Sequence, residues 1–162
     1  MKALALAVAL FAPALARADV APTPGAPATK DADTKVTVTI RVIEAKQQGP
    51  KQLDPRLADL EKRLTGFSYS QYKLLEERRF ELDLHTPAQM ELPGARHLLV
   101  TPRRIAHDDK IKVHLELTGG TPGAHTRYLH TDYAIQKGAT LLVGGPKTED
   151  GTLFIALRHD AK

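Results

Sequence analysis

Apolar and polar residues alternate along much of the chain between residues 35 and 157. The clearest example is the segment 35–45, KVTVTIRVIEA, in which β-branched residues dominate. One face of this segment would carry Val36, Val38, Ile40 and Val42, and the other Thr37, Thr39 and Arg41. A period of two among β-branched residues predicts a half-buried β-strand.

Short turn signals separate the later runs of alternating residues. Pro93-Gly94 favours a type II turn, Lys137-Gly138 joins two apolar runs, and Asp150-Gly151 is a strong turn dipeptide. Seven or eight short strands between such turns predict a mainly β fold of the α+β class. We expect an antiparallel β-sandwich or a meander.

One segment carries a helical pattern instead of a strand pattern. Asp54 suits the N-cap of a helix, and Pro55 suits its first position. An apolar stripe follows at spacings of three and four, formed by Leu57, Leu60 and Leu64. We therefore expect one short helix near residues 54–65, with its leucine stripe docked on a sheet.

The first 18 residues have the form of a secretory signal peptide. Lys2 gives a short positive region, residues 3–15 are apolar, and Ala16-Arg17-Ala18 matches the A-x-A cleavage pattern. Cleavage before Asp19 would place the protein in the periplasm or outside the cell. A retained membrane anchor is the alternative.

The apolar run is short for a membrane span, which needs roughly 20 residues, and Pro13 interrupts it. We therefore expect no transmembrane span after signal cleavage. Residues 19–34 are rich in Pro, Ala and Thr, which predicts either a disordered linker or a slack N-terminus without function. Residues 35–160 are then predicted to form a single β-rich domain.

Composition and charge narrow the classes of function. The chain has no cysteine, which excludes disulfides, thiol catalysis and a lipoprotein signal. The net charge is +4, and Lys2 and Arg17 of the predicted signal peptide supply two of these charges. Basic and acidic residues are interspersed, so the sequence lacks the basic patch of a nucleic-acid-binding protein.

The stretch 138–160, GATLLVGGPKTEDGTLFIALRHD, could be a phosphate-binding loop or a β-hairpin. A P-loop needs an upstream glycine, a lysine directly after the second glycine and a following helix. Here Pro146 separates glycine from lysine, two acidic residues follow, and the next run is strand-like. We predict a hairpin. Its exposed tip, a candidate partner contact, would comprise Pro146, Lys147, Thr148, Glu149 and Asp150.

Seven histidines are the strongest candidates for a metal site. His114 and Glu116 share one face of a predicted strand, and His130 and Asp132 share one face of another. If these strands pair, His114 and His130 approach each other on the polar face. The predicted ligand set is His97, His114 and His130, and ordinary solvated strand residues are the alternative.

Other catalytic patterns are weaker. The chain has two serines, Ser68 and Ser70, and neither lies in a nucleophile motif such as G-x-S-x-G. The aromatic residues Phe67, Tyr69 and Tyr72 could stack on a carbohydrate or a base, but we expect them to fill the core beneath the leucine stripe.

Two segments resemble a group of small, exported, uncharacterised bacterial proteins. VTIRVIEAKQQGPKQLDPRLADLEKRLTGFSYSQYKLLEE matches the strand, D-P-R-L helix and following strand that open this group, and LLVGGPKTEDGTLFIAL matches its closing hairpin. The closing hairpin is also similar, over about 20 residues, to that of outer-membrane secretin channels. The resemblance implies an association with the envelope or with a secretion apparatus, and no catalytic residues.

The sequence therefore predicts a non-catalytic exported envelope protein that acts through protein–protein contact and needs no cofactor. Its partner would be an envelope or secretion-apparatus protein and not a nucleic acid. The alternative is a periplasmic metal- or ligand-binding module that uses the histidines of the polar face. A hydrolase with an unrecognised site is a third hypothesis.

Overall fold

The computed structural model describes residues 35–106, 109–121 and 124–160. The predicted signal peptide and linker lie outside the described residues. All described residues fall within one compact unit.

Nine strands and one short helix make up this described part of the chain. The strands are β1 (Val36–Lys46), β2 (Gln52–Leu53), β3 (Gln71–Leu82), β4 (Ala88–Leu92), β5 (Arg96–Ile105), β6 (Lys110–Thr121), β7 (Ala124–Gln136), β8 (Thr140–Lys147) and β9 (Gly151–His159). The helix begins as a 3₁₀ segment, Pro55–Leu60, and continues into α1, Glu61–Leu64. We refer to these two segments together as the leucine helix.

The strands form two sheets. The first sheet has the order β2-β3-β1-β9-β8, and the second has the order β4-β5-β6-β7. Neighbouring strands are antiparallel, apart from the parallel pair β2 and β3. Because β1 lies between β3 and β9, the first sheet joins the two ends of the described chain.

A shared apolar core lies between the two sheets. We call the face of each sheet that contributes to this core its inner face, and the opposite face its outer face. The largest side chains fully buried in this core are Ile40, Met90, Leu98, Ile111, Leu115, Leu117, Leu153 and Ile155. The predicted mainly β fold with two packed sheets is confirmed. The structure has nine strands where seven or eight were expected, and the count includes β2, which is a pairing of only two residues.

The leucine helix covers part of the outer face of the first sheet. Leu57, Leu60 and Leu64 are 0%, 2% and 0% exposed, and they belong to a second apolar cluster. Its sheet-side members are Ile43, Ala45, Tyr72, Leu74, Phe154 and Ala156. The predicted helix and its docking on a sheet are therefore confirmed.

Asp54 fixes the start of the leucine helix. Its Oδ1 accepts a hydrogen bond from the Arg56 backbone N–H at 3.0 Å, as expected of an N-cap. Its carboxylate also accepts from the Arg56 guanidinium at 2.8 Å and from the Leu74 N–H at 3.3 Å. Hydrogen bonds from the Arg56 side chain and backbone hold the pKa of Asp54 well below its usual range. The cap thus ties the helix to β3.

Candidate metal site on the outer face of the second sheet

The pairing of β6 with β7 positions the candidate site. Glu116 lies opposite His130, and His114 lies opposite Asp132. Residues directly opposite in an antiparallel pair have their side chains on the same face. Alternate residues of β6, from Ile111 to Leu117, fill the core, so these four polar side chains lie on the outer face.

His114 and His130 meet as the sequence reasoning expects. Their ring centroids are 4.5 Å apart, and the rings are close to perpendicular at 80°. One ligand atom from each of His114, Glu116 and His130 lies within 4.8 Å of the other two. These three side chains therefore form a compact group of two imidazoles and one carboxylate.

Asp132 orients the ring of His114. Its Oδ1 lies 2.7 Å from His114 Nδ1, and an ionised carboxylate can only accept a hydrogen bond. Nδ1 therefore carries the proton and donates a hydrogen bond to Asp132, so in a neutral ring the lone pair resides on Nε2. A carboxylate behind a histidine is the usual arrangement that fixes the tautomer of a metal ligand.

A basic residue lies at the edge of this group. Arg127 Nε is 3.6 Å from Glu116 Oε1, and the Arg127 side chain is 61% exposed. The register shifts between Leu117 and Thr118, so that Thr118 pairs with Arg127. This irregularity places Arg127 on the same face as His130, although the two residues are an odd number of positions apart.

The group has the chemistry of a transition-metal site. Two imidazole nitrogens and one carboxylate oxygen are suitable ligands for zinc and for copper(II). Three protein ligands would leave at least one coordination position open. His114 is 13% exposed at its side chain, whereas His130 is exposed, so the site would be open to solvent on one side.

His97 lies elsewhere on the same face. It is located on β5, opposite Glu91 on one side and Thr118 on the other. At the usual rise of a strand, Thr118 is about 13 Å along β6 from His114 and about 7 Å from Glu116. The structure thus brings two of the three proposed ligands together, with Glu116 as the third member of the cluster. His97 Nδ1 is buried without a hydrogen-bond partner.

Glu116 could have been selected from the sequence. It is two residues from His114 on a strand, and such residues share a face. The missing information was the register, because only the pairing of Glu116 with His130 shows that these two side chains are neighbours.

The C-terminal hairpin is present, with its tip displaced from the glycine pair. β8 and β9 are joined by a turn in which the Thr148 N–H donates to the Gly151 carbonyl at 2.9 Å. Gly144 and Gly145 lie within β8, where the register shifts before Lys147. A strand and not a helix follows, so the stretch lacks the architecture of a P-loop.

Not all of the predicted contact residues are exposed at this tip. Lys147, Glu149 and Asp150 are exposed, and Thr148 is half-buried. Pro146 is buried within the irregular part of β8, so the prediction that it belongs to the exposed tip is wrong. Asp150 forms an ion pair with Lys46 at 3.2 Å, which links the tip to the end of β1.

The aromatic residues after the leucine helix pack against it and against β9. Tyr72 is buried and donates its hydroxyl hydrogen bond to the Leu64 carbonyl at 2.7 Å. Phe67 is 42% exposed, with its ring 4.8 Å from that of Phe154. Ser70 Oγ donates to the Lys46 carbonyl at 3.2 Å rather than to a histidine.

No protein-family model, curated protein or solved structure matches this chain. Among the described residues, no helix has the length and apolar character needed to cross a membrane.

Proposed function

We propose that this protein binds a divalent transition-metal ion, zinc or copper(II), through His114, Glu116 and His130. The observation that carries this proposal is the convergence of three ligand atoms within 4.8 Å on one sheet face. Two strands of a sheet supply the three side chains, so the site is built on a rigid element. The protein acts as a metal-binding module without catalysis of its own.

Two further contacts favour a metal site here over a chance cluster of surface residues. The hydrogen bond from His114 to Asp132 directs Nε2 away from Asp132 as the free nitrogen. The T-shaped contact of the two imidazoles brings a second nitrogen close without any backbone rearrangement. A metal ion would then replace water around groups that the fold already holds together.

Calorimetric titration of the untagged protein with zinc and with copper(II) tests the proposal. Single substitutions His114→Ala and His130→Ala are each expected to weaken binding by more than about tenfold, because each removes one ligand. His97→Ala is the matched control on the same face and is expected to bind as the parent does. A triple variant at His97, His114 and His130 that binds metal as well as the parent would refute the site.

A matched pair of variants tests the role of Glu116 as a ligand. Glu116→Gln removes a charged ligand oxygen and is expected to lower the affinity for zinc. Glu91→Gln changes an exposed glutamate on β4, opposite His97, and is expected to have no effect. Equal affinities of the two variants would show that Glu116 is not a ligand.

We further propose that the protein is exported and contacts an envelope or secretion-apparatus protein. The specific observation in favour is β7, a strand of 13 residues that forms an edge of the second sheet. An exposed strand edge can add a strand from another protein. Tyr128 on β7 is 43% exposed, and its phenol offers a partner both apolar area and a polar tip.

Capture from an envelope extract, with two variants, separates the two candidate contact surfaces. Tyr128→Ala alters the β7 edge, and a double substitution Lys147→Ala with Glu149→Ala alters the hairpin tip. Loss of one defined partner in only one variant assigns the surface. Recovery of no stable partner by the parent counts against the contact function, and an intact N-terminus on the mature protein counts against export.

A further inference from the structure

A metal ion held by His114, Glu116 and His130 would have an incomplete coordination sphere. Tetrahedral zinc needs a fourth ligand, and sites with three protein ligands take it from water or from another molecule. Among the residues that the structure describes, the cluster holds no fourth histidine, aspartate or glutamate. Asp132 is engaged with His114 Nδ1, and it holds the ring in place.

Positive side chains flank the open side of this cluster. Arg127 lies next to Glu116 at 3.6 Å, on the face that the register shift of β7 gives it. Lys112 is exposed on the same face of β6, on the other side of His114. Arg127 forms an ion pair with Glu116, whose two oxygens could serve the metal and the guanidinium together.

We propose that the metal-loaded site binds a small oxyanion, a carboxylate or a phosphate, between the metal and Arg127. This inference rests on the proposed metal binding. One oxygen of the ligand would complete the coordination of the metal, and another would accept hydrogen bonds from the guanidinium. Carboxylates and phosphates share this ability, because both present two oxygens to a planar guanidinium.

The position of Arg127 depends on the irregular register between β6 and β7. A regular register would place Tyr128 opposite Thr118, and Arg127 would then point to the other face. The irregularity between Leu117 and Thr118 therefore brings a cation beside the metal ligands where a regular strand would bring a phenol. Irregularities of this kind commonly redirect side chains next to binding sites.

The test uses cobalt(II) as a spectroscopic substitute for zinc. The cobalt-loaded protein is titrated with acetate and, separately, with inorganic phosphate, and the visible absorption of cobalt is followed. A saturable spectral change is expected with at least one anion. The anion that binds at least about tenfold more tightly identifies the ligand as a carboxylate or as a phosphate.

Arg127→Gln is expected to retain cobalt and to bind the anion at least about threefold more weakly, which is the scale of an exposed ion pair. Arg78→Gln is the matched control, because Arg78 is an exposed arginine paired with Glu76 on the first sheet. It is expected to behave as the parent does.

Three results would overturn the inference. An unchanged cobalt spectrum in both titrations would show that the metal takes no oxyanion, while metal binding itself would stand. Equal anion affinities of the parent and Arg127→Gln would remove Arg127 from the contact. Failure of the parent to bind cobalt, zinc and copper(II) would overturn both the inference and the proposed metal site.

Discussion

The outer faces of the two sheets differ in what lies over them. The first sheet presents Ile43, Ala45, Leu74, Phe154 and Ala156 to the leucine helix, and these residues are buried. The second sheet presents His114, Glu116, His130 and Asp132, and no helix of the described residues packs over them. Strands of the second sheet alternate apolar inward and polar outward residues, whereas β1 and β9 of the first sheet carry apolar residues on both faces where the helix covers them.

This difference separates outward residues that stabilise the fold, on the first sheet, from outward residues that are available to bind a ligand, on the second. An apolar outer face gains free energy only when another element removes it from water. A polar outer face keeps its hydration without a cover, so its side chains can exchange water for a ligand at little structural cost. The leucine helix is therefore expected to matter for folding, and the histidine cluster for binding.

The largest expected effect comes from comparing a leucine of the helix that covers the first sheet with a leucine on the uncovered face of the second. Leu64→Ala should lower the free energy of unfolding by about 2–5 kcal/mol, because Leu64 of the leucine helix is fully buried against the first sheet. Leu99→Ala, at a half-buried position on the outer face of the second sheet, should cost less than about 1.5 kcal/mol. Urea denaturation measures both. Equal losses would show that the two faces are covered alike.

Metal should stabilise the fold through the uncovered face only. Zinc at 100 times its dissociation constant is expected to raise the free energy of unfolding by about 2.7 kcal/mol. The gain should fall by more than about 1.3 kcal/mol in His130→Ala, where binding is expected to be more than about tenfold weaker. It should persist in Leu64→Ala, because Leu64 lies in the leucine helix over the first sheet. An undiminished gain in His130→Ala would place the metal elsewhere.

Two glycines of the C-terminal hairpin probe how closely the first sheet is packed. A Cβ on Gly151 would lie 1.9 Å from the Ala45 carbonyl oxygen, whereas a Cβ on Gly144 would meet nothing within 4 Å. Gly151→Ala should therefore cost about 1–3 kcal/mol, and Gly144→Ala should stay within about 0.5 kcal/mol of the parent. The reverse order in thermal denaturation would contradict the pairing of β1 with β9.

The smallest expected effect is a pH dependence from His159. Burial lowers the pKa of His159, and the nearby Lys137 lowers it further. As the pH falls below about 6.5, the unfolded chain takes up a proton that the folded chain does not, so the free energy of unfolding decreases. This decrease continues until the pH reaches the lowered pKa of the folded state.

Replacement of the buried imidazole of His159 tests whether stability falls with falling pH for this reason. His159→Gln is expected to lose less stability than the parent between pH 6.5 and pH 5, measured by urea denaturation at each pH. An identical pH dependence in the two proteins would show that His159 contributes nothing to it.

The fold could largely be predicted from local sequence because local and long-range preferences agree. The alternation of Val36, Val38, Ile40 and Val42 identified a strand and the face that lies in the shared core before any partner was known. The strand is not half-buried as expected, because the threonines of the opposite face, Thr37 and Thr39, are buried as well. Asp54 and Pro55, with the leucine spacing, marked the start and the buried side of the helix. The tight 3₁₀ geometry of its first turns was not visible, because spacings of three and four also suit an α-helix.

The candidate site could be predicted only in part. Alternation assigns His114 and His130 to polar faces, but strand order and register determine which polar residues become neighbours. His97 has the same local pattern, but it lies opposite Thr118, about 13 Å along β6 from His114, whereas Glu116 lies opposite His130. The contact of Arg127 with Glu116 depends on a register irregularity that the local sequence pattern does not predict.

The central claim is that the uncovered face of the second sheet binds metal through two particular imidazoles. Long-range ¹H–¹⁵N spectra of the histidine rings, recorded before and after one equivalent of zinc, test this directly. Shifts are expected at His114 Nε2 and in the ring of His130, with His97 and His159 unchanged. No change at His114 and His130, or a zinc-dependent shift of His97 without them, would contradict metal binding by this pair of imidazoles.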